Sequence, residues 1–179
     1  MQKTKIYIDG SEGTTGLRIF ERMADRNDIE LISIDPALRK DPAARAACIN
    51  ASDITFLCLP DAAAVEAVSL IANDHVRIID ASTAHRTASG WAYGFPELSA
   101  AHRDAIVAGK RIANPGCHAT GFISLVYPLV AAGILSADAD VSCFSLTGYS
   151  GGGKKMIAQY EQSEGRDAAL YAPRLYGLT

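Results

Sequence analysis

Residues 5–25 constrain the fold most: "KIYID", then "GSEGTTG", then "LRIFERMADR". The first piece is short, apolar and partly β-branched, the pattern of a buried parallel strand. In the third, Leu17, Phe20 and Met23 or Ala24 recur at helical spacing, with Arg18, Glu21, Arg22 and Asp25 between them. A strand that passes through a glycine-rich turn into an amphipathic helix is the first half of a parallel crossover unit. The rest of the chain repeats the alternation. "IELISID" reads as a second strand ending in Asp35, and an Ala-rich link leads to a third, "DITFLCLP". The helix "AAAVEAVSLIAN" follows with Asp61 as its expected N-cap, then a fourth strand, "VRIIDAS".

Further on, "SAAHRDAIVAGK" reads as a helix capped by Ser99 and ended by Gly109. "RIAN" is a short strand. "HATGFISLVYPLVAAGIL" is a long apolar helix, with Pro128 as a kink point and Gly133 at its close. "VSCFSLTGYSGGGKK" reads as a strand opening into a glycine-rich loop. The expected fold is α/β, a doubly wound Rossmann-like parallel sheet over residues 1–116. The beginning of a second α/β catalytic and dimerisation domain follows over residues 117–179.

The 179 residues carry a formal charge of −3 and are 49% hydrophobic. This mixed, near-neutral balance implies neither a nucleic-acid nor a membrane partner. No apolar run approaches the roughly 20 residues of a membrane helix. The chain enters a strand at once, which leaves no room for a signal peptide, so a cytoplasmic location is the default. None of the four cysteines forms a CxxC pair, and no metal site is expected. Cys48, Cys58 and Cys143 lie in helical or strand-like surroundings and read as small buried thiols.

Gly10, Gly13 and Gly16 give G-x-x-G-x-x-G between strand and helix. Such a turn lets backbone approach a pyrophosphate, whose charge the helix N-terminus meets. Ser11, Thr14 and Thr15 add hydrogen-bond donors. The residues leave the choice of nucleotide open. Asp35 suits a ribose 2′-hydroxyl and NAD, whereas Arg39 and Lys40 suit a 2′-phosphate.

"ANPGCHATG" places Cys117 directly behind Pro115 and Gly116, where a strand gives way to a helix. A helix N-terminus stabilises a thiolate, and its free N–H groups can also steady an oxyanion. A nucleophilic cysteine beside a nicotinamide suits reduction of an activated acyl group, an acyl phosphate for example, through a thioester. His118 follows directly, but adjacent helical residues diverge by about 100°, so it points away from the sulfur's partner. His75, His85 and His102 are expected to take no part in catalysis.

Together, "GSEGTTG", "DAST-x-x-R", "YGFPEL", "ANPGCHATG" and "GYSGGGKK" resemble N-acetyl-γ-glutamyl-phosphate reductase, most closely its shorter bacterial type. The resemblance runs from about residue 3 to the end. It implies NADPH-dependent reduction of N-acetyl-γ-glutamyl phosphate to the semialdehyde in arginine biosynthesis, with Arg39 and Lys40 as candidate 2′-phosphate contacts. Cys117 would be the nucleophile. Ser82 and Arg86 would lie near the substrate or its phosphate, which a guanidinium grips bidentately. Asn114 and Gly116 would shape the turn, Pro96 and Glu97 would border the site, and Ser150, Gly151 and their neighbours to Gly153 would line the substrate pocket, with Lys154 reaching toward it. A homodimer or tetramer is implied.

Two departures stand out. Position 118 is His where many relatives carry Tyr. The family's catalytic histidine lies after a "YGLT"-like stretch, at which this chain stops. The chain therefore reads as roughly the first three-fifths of such an enzyme, with poor activity of its own or a partner supplying the remainder. Aspartate-semialdehyde dehydrogenase shares the architecture, but Gly116 and Phe122–Ile123 depart from its cysteine motif. A nucleotide-binding module without turnover is the other reading.

Overall fold

The structure is a computed structural model that describes residues 3–11, 13–162, 165, 167–173 and 175. Contacts gather the chain into two compact units, residues 1–141 and 142–179.

In the first unit, β1 (Thr4–Asp9), β2 (Ile29–Ile32), β3 (Ile54–Leu57), β4 (Arg77–Asp80), β5 (Ala92–Tyr93) and β6 (Arg111–Ala113) form one sheet. Its order is β2-β1-β3-β4-β6-β5. Every pairing is parallel. The strands alternate with α1 (Thr14–Ala24), α2 (Pro42–Ala51), α3 (Asp61–Ser69) and α4 (Ala100–Ala108), and α5 (Cys117–Ala131) follows β6. Side chains alternate across a strand, so β1 feeds two cores. Tyr7 joins Ile49 of α2, Leu57 of β3 and Ala64 and Ala67 of α3 on one face. Ile6 and Ile8 meet Ile19 and Met23 of α1 on the other. The sheet is doubly wound, as its alternating pattern predicts. The order reverses between β1 and β3, so the crevice beyond their carboxyl ends is where this architecture binds ligands.

Several local expectations are corrected. The second strand ends at Ile32 rather than Asp35. Asp35 instead N-caps a short 3-10 turn (Pro36–Leu38), accepting the Ala37 N–H at 2.8 Å, and Pro36 has no N–H for a sheet. The Ala-rich link is α2, begun by Asp41, which accepts the Ala44 N–H at 2.7 Å, and by Pro42 in the first turn. Pro60 takes the N-cap position of α3, and Asp61 is its first helical residue, spent on Thr83. The face of α1 that packs inward is Ile19 and Met23, whereas Leu17 and Phe20 are exposed. Ser99 does cap α4, accepting the His102 N–H at 3.3 Å, and Gly109 ends it.

One buried ion pair ties β1 to the helices. Arg45 of α2 donates to Asp9 Oδ2 from Nε at 3.1 Å and from Nη2 at 3.0 Å, and to Glu66 of α3 at 2.8 Å. Both Arg45 and Asp9 are buried. Burial pushes the Asp9 carboxyl above its ordinary range even though Arg45 opposes the shift.

In α5, Pro128 sits in the last turn and no residue is buried; Leu125, Leu129 and, just beyond, Ile134 are exposed. No helix among the described residues is long and apolar enough to cross a membrane.

The second unit has a 3-10 turn (Tyr149–Gly152), α6 (Gly153–Glu161) and a further 3-10 turn (Ala168–Tyr171). Residues 141–148 are irregular and exposed rather than a strand, so Cys143 is an exposed thiol and not a buried one. The "YGLT" stretch, residues 176–179, lies outside the described residues.

Candidate active site

All strands of the sheet being parallel, their carboxyl ends share one edge, from which the glycine-rich turn after β1, the loop after β4 and the cysteine turn after β6 all leave. The glycine-rich turn leaves β1 at Gly10, whose φ is +88°, a left-handed conformation that favours glycine. A Cβ on Gly10 would lie 2.4 Å from the Cys58 carbonyl oxygen at the end of β3. One on Gly16 would lie 2.3 Å from the Gly10 carbonyl oxygen. The first and last glycines therefore let turn, helix and neighbouring strand close on one another. The Gly13 N–H donates to Gly10 O at 3.0 Å, and the first intrahelical bond of α1 runs from Leu17 N–H to Gly13 O at 2.9 Å. Residues 14–16, including Thr14 and Thr15, thus open the helix with backbone donors unused by it. Beside them is a crevice of about 110 Å³ lined by Ser11, Phe20, Ser33 and Ile34 among others. This cradle fits a dinucleotide: close backbone, helix N-terminus and open donors. Arg39 and Lys40 lie exposed just beyond Asp35.

Gly10→Ala is accordingly expected to weaken dinucleotide binding by about tenfold or more, because strain and the carbonyl clash reshape the turn. Calorimetric titration with NADPH checks this, and unchanged affinity would count against the cradle.

Three strands along the sheet from β1, β6 ends at Ala113 and the turn Asn114–Gly116 leads into α5, whose first residue is Cys117. Gly116 is the N-cap and offers no side chain to the helix end. The Cys117 thiol is exposed, as a nucleophile must be. Cys58 differs. Burial, helped by the Asp80 and Asp9 carboxylates, pushes its thiol up to about 11. Iodoacetamide at pH 8 is expected to label Cys117 and Cys143 well before Cys58, as peptide mapping by mass spectrometry will report.

The loop after β4 faces the cysteine turn. Arg86 donates from Nε to Asn114 O at 3.2 Å and from Nη2 to Ala81 O at 3.2 Å. Its Nη1 lies 2.8 Å from where a Gly116 Cβ would be, so the guanidinium rests on the residue preceding Cys117. Asp61 lies toward the same group. Thr83 donates to it from N at 2.9 Å and from Oγ1 at 2.5 Å, which together with the Arg86 charge holds its carboxyl below the ordinary range. Ser82 is turned inward: its hydroxyl donates to Asp80 Oδ2 at 2.7 Å and accepts the Ala84 N–H at 3.2 Å. Asn114 is exposed, and its N–H donates to Asp80 O at 2.7 Å.

Sequence reasoning set His85 aside, and the structure gives it a definite place. His85 is buried, with Nδ1 2.6 Å from Asp80 Oδ2 and its ring stacked on Trp91 at 4.0 Å. The signal was available in "DASTAHR", where an Asp ending a strand and a His five residues on can close a loop. His75 is exposed, and His102 pairs with Ser99. Pro96 and Glu97 lie in the loop after β5. Ser150 and Gly151 form part of the first 3-10 turn of the second unit, followed by Lys154 in α6. Among the described residues no group of three His, Cys, Asp or Glu side chains is placed to hold a metal.

Comparison with known proteins bears on this edge. The family described as semialdehyde dehydrogenase, NAD binding domain, matches residues 37–106, and the semialdehyde dehydrogenase dimerisation domain matches residues 117–177. The chain is 58% identical over 175 residues to an N-acetyl-gamma-glutamyl-phosphate reductase of Chelativorans sp., covering 98% of this chain and 56% of that protein. It is 53% identical over 177 residues to the protein of the same name from Mesorhizobium japonicum, covering 99% and 56%. The chain thus spans about half the length of the curated relatives it matches. Among solved structures, an aspartate semialdehyde dehydrogenase from Francisella tularensis superposes with a TM-score of 0.63 at 16% identity, over 87% of this chain and 48% of that one. A Vibrio cholerae aspartate semialdehyde dehydrogenase II gives 0.58 at 15%, over 89% and 51%. At that identity these two share the fold, whereas the sequence relatives share the family: the chain belongs to the N-acetyl-gamma-glutamyl-phosphate reductases.

Proposed function

We propose that this chain carries the nucleotide cradle and the nucleophile of an enzyme that reduces N-acetyl-γ-glutamyl phosphate to N-acetylglutamate semialdehyde and phosphate, with NADPH, in arginine biosynthesis. The observation that carries the reading is an exposed cysteine at the first position of α5, with a guanidinium laid against the residue before it. It stands on the same sheet edge as the glycine-rich turn.

The chemistry follows from these positions. The Cys117 thiolate attacks the acyl carbonyl, the bond to phosphate breaks, and a thioester forms. N–H groups at the start of α5 receive the negative charge on the carbonyl oxygen as the tetrahedral species passes. Arg86 holds the phosphate, first as part of the substrate and then as the leaving group. When bound, a dihydronicotinamide would supply the hydride that takes the thioester to the aldehyde and returns the thiolate. Gly10, Ser11, Gly13, Thr14, Thr15 and Gly16 would hold its pyrophosphate. Asp35, Arg39 and Lys40 flank the ribose end, where the two cations favour a 2′-phosphate. Ser150 and Gly151 are proposed as further substrate-binding residues.

In this reading residues 1–116 are the NADP-binding domain and residues 117–179 begin the catalytic and dimerisation domain, the division that the two family matches support. A cytoplasmic homodimer or homotetramer is the matching assembly.

The test is phosphate-dependent reduction of NADP by N-acetylglutamate semialdehyde, run beside the free-amine semialdehyde. Preference for the N-acetylated compound supports the proposal. Preference for the free amine points to an aspartate-semialdehyde-type enzyme, and NADPH binding with neither turnover nor acylation of Cys117 points to a binding module.

A further inference from the structure

We propose that Asp80 and His85, with Trp91 stacked over the imidazole, are positioning residues that aim the Arg86 guanidinium at the anionic end of whatever Cys117 attacks. The inference rests on the acyl-phosphate reading above and extends it to residues that touch neither substrate nor nucleotide.

Asp80 ends β4 with no exposed surface, and its side-chain hydrogen bonds run to the loop that carries Arg86. Its Oδ1 accepts the Ser82 N–H at 2.9 Å, and its Oδ2 accepts the Ser82 hydroxyl at 2.7 Å. Oδ2 also lies 2.6 Å from His85 Nδ1. Its main-chain oxygen takes the Asn114 N–H at 2.7 Å, three residues before Cys117. One residue therefore fixes both the loop that carries Arg86 and the turn that carries the nucleophile.

His85 supplies the long reach of this clamp. It immediately precedes Arg86, and its ring is held by Asp80 at Nδ1 and by Trp91, whose plane lies 12° from its own. With the imidazole held, the Arg86 backbone leaves the loop in one direction. The guanidinium then bonds the carbonyls of Ala81 and Asn114 and rests on Gly116. A buried carboxylate–imidazole pair costs desolvation, so a fold needing only packing there is served as well by apolar side chains. What the polar pair adds is orientation, which an apolar substitute does not supply.

The experiment compares alkylation of Cys117 by iodoacetate and by iodoacetamide in the whole chain, read by mass spectrometry with Cys143 as reference in the same digest. Both reagents form the same carbon–sulfur bond and expel iodide, but only iodoacetate is an anion that Arg86 attracts. Arg86→Gln is expected to lower the iodoacetate-to-iodoacetamide rate ratio at Cys117 by about fivefold. His85→Ala is expected to lower it by about threefold, while His85→Asn, which keeps an N–H donor near the Nδ1 position, stays within about twofold of the parent. Trp91→Leu carries the same expectation as His85→Ala and serves if the latter does not fold. Unchanged ratios in His85→Ala and Trp91→Leu, alongside a lowered ratio in Arg86→Gln, would overturn the inference and leave the Arg86 reading standing. Equal slowing of both reagents in His85→Ala would mark His85 as a packing residue and overturn it too. No effect in Arg86→Gln would overturn both.

Discussion

Cys117→Ser is expected to reduce acyl-phosphate reduction by about 10³-fold or more while leaving NADPH affinity within about twofold. The asymmetry follows from where the residue sits. The sulfur is exposed at the first position of α5, beyond β6, whereas the glycine-rich turn belongs to β1 and α1. A hydroxyl keeps the size and the helix start, so the fold is unchanged. It forfeits the nucleophile, since a serine hydroxyl at neutral pH has no appreciable anion. Parallel assays of NADPH oxidation and NADPH binding separate the two effects. Substantial turnover by the variant would remove the thioester step.

The second large effect concerns stability. Arg45→Ala is expected to cost about 3–5 kcal/mol, because it leaves the Asp9 carboxylate buried without its partner. Glu66 is exposed on its other side and loses little by comparison. The pH dependence gives the signature. Burial already raises the Asp9 value, so Asp9 in the fold takes up a proton more readily than in the unfolded chain. A raised carboxyl contributes stability at low pH that is lost as pH rises through its folded value. Without Arg45 that value rises further. The variant should therefore regain part of its deficit on moving from neutral to mildly acidic pH, and Arg45→Ala/Asp9→Leu should show no such recovery. Urea denaturation at several pH values checks both.

Much of the architecture was legible because hydrophobic period and turn chemistry agreed. "KIYID" and "VRIID" became parallel strands, and Ser99 and Gly109 bounded α4 as their residue types require. Misreadings arose where a residue's local duty competed with its place in a pattern. Asp35 extends an apolar run on paper but caps a turn next to Pro36. Asp61 has the right type for an N-cap, but Pro60 holds the position and Thr83, distant in sequence, claims the carboxylate. "VSCFSL" has the composition of a strand, yet it pairs with no strand among the described residues, and propensity without pairing does not make one.

The site divides in the same way. Gly10, Gly16 and Cys117 were legible since backbone geometry at a strand end constrains residue type. The Asp80–His85–Trp91 clamp was not, because a histidine in a polar run shows nothing of the ring that stacks on it. Placing Arg86 against Gly116 needed the parallel order β4-β6, which only pairing reveals.

The central claim is that Cys117 takes the acyl group. Its most direct measurement is mass spectrometry of the chain incubated with N-acetyl-γ-glutamyl phosphate without reducing nucleotide, quenched in acid and digested. The account predicts one N-acetylglutamyl group on the peptide bearing Cys117, removed by hydroxylamine as a thioester should be and absent from Cys117→Ser. Acylation spread evenly over Cys117 and Cys143, or persisting in the serine variant, would contradict it.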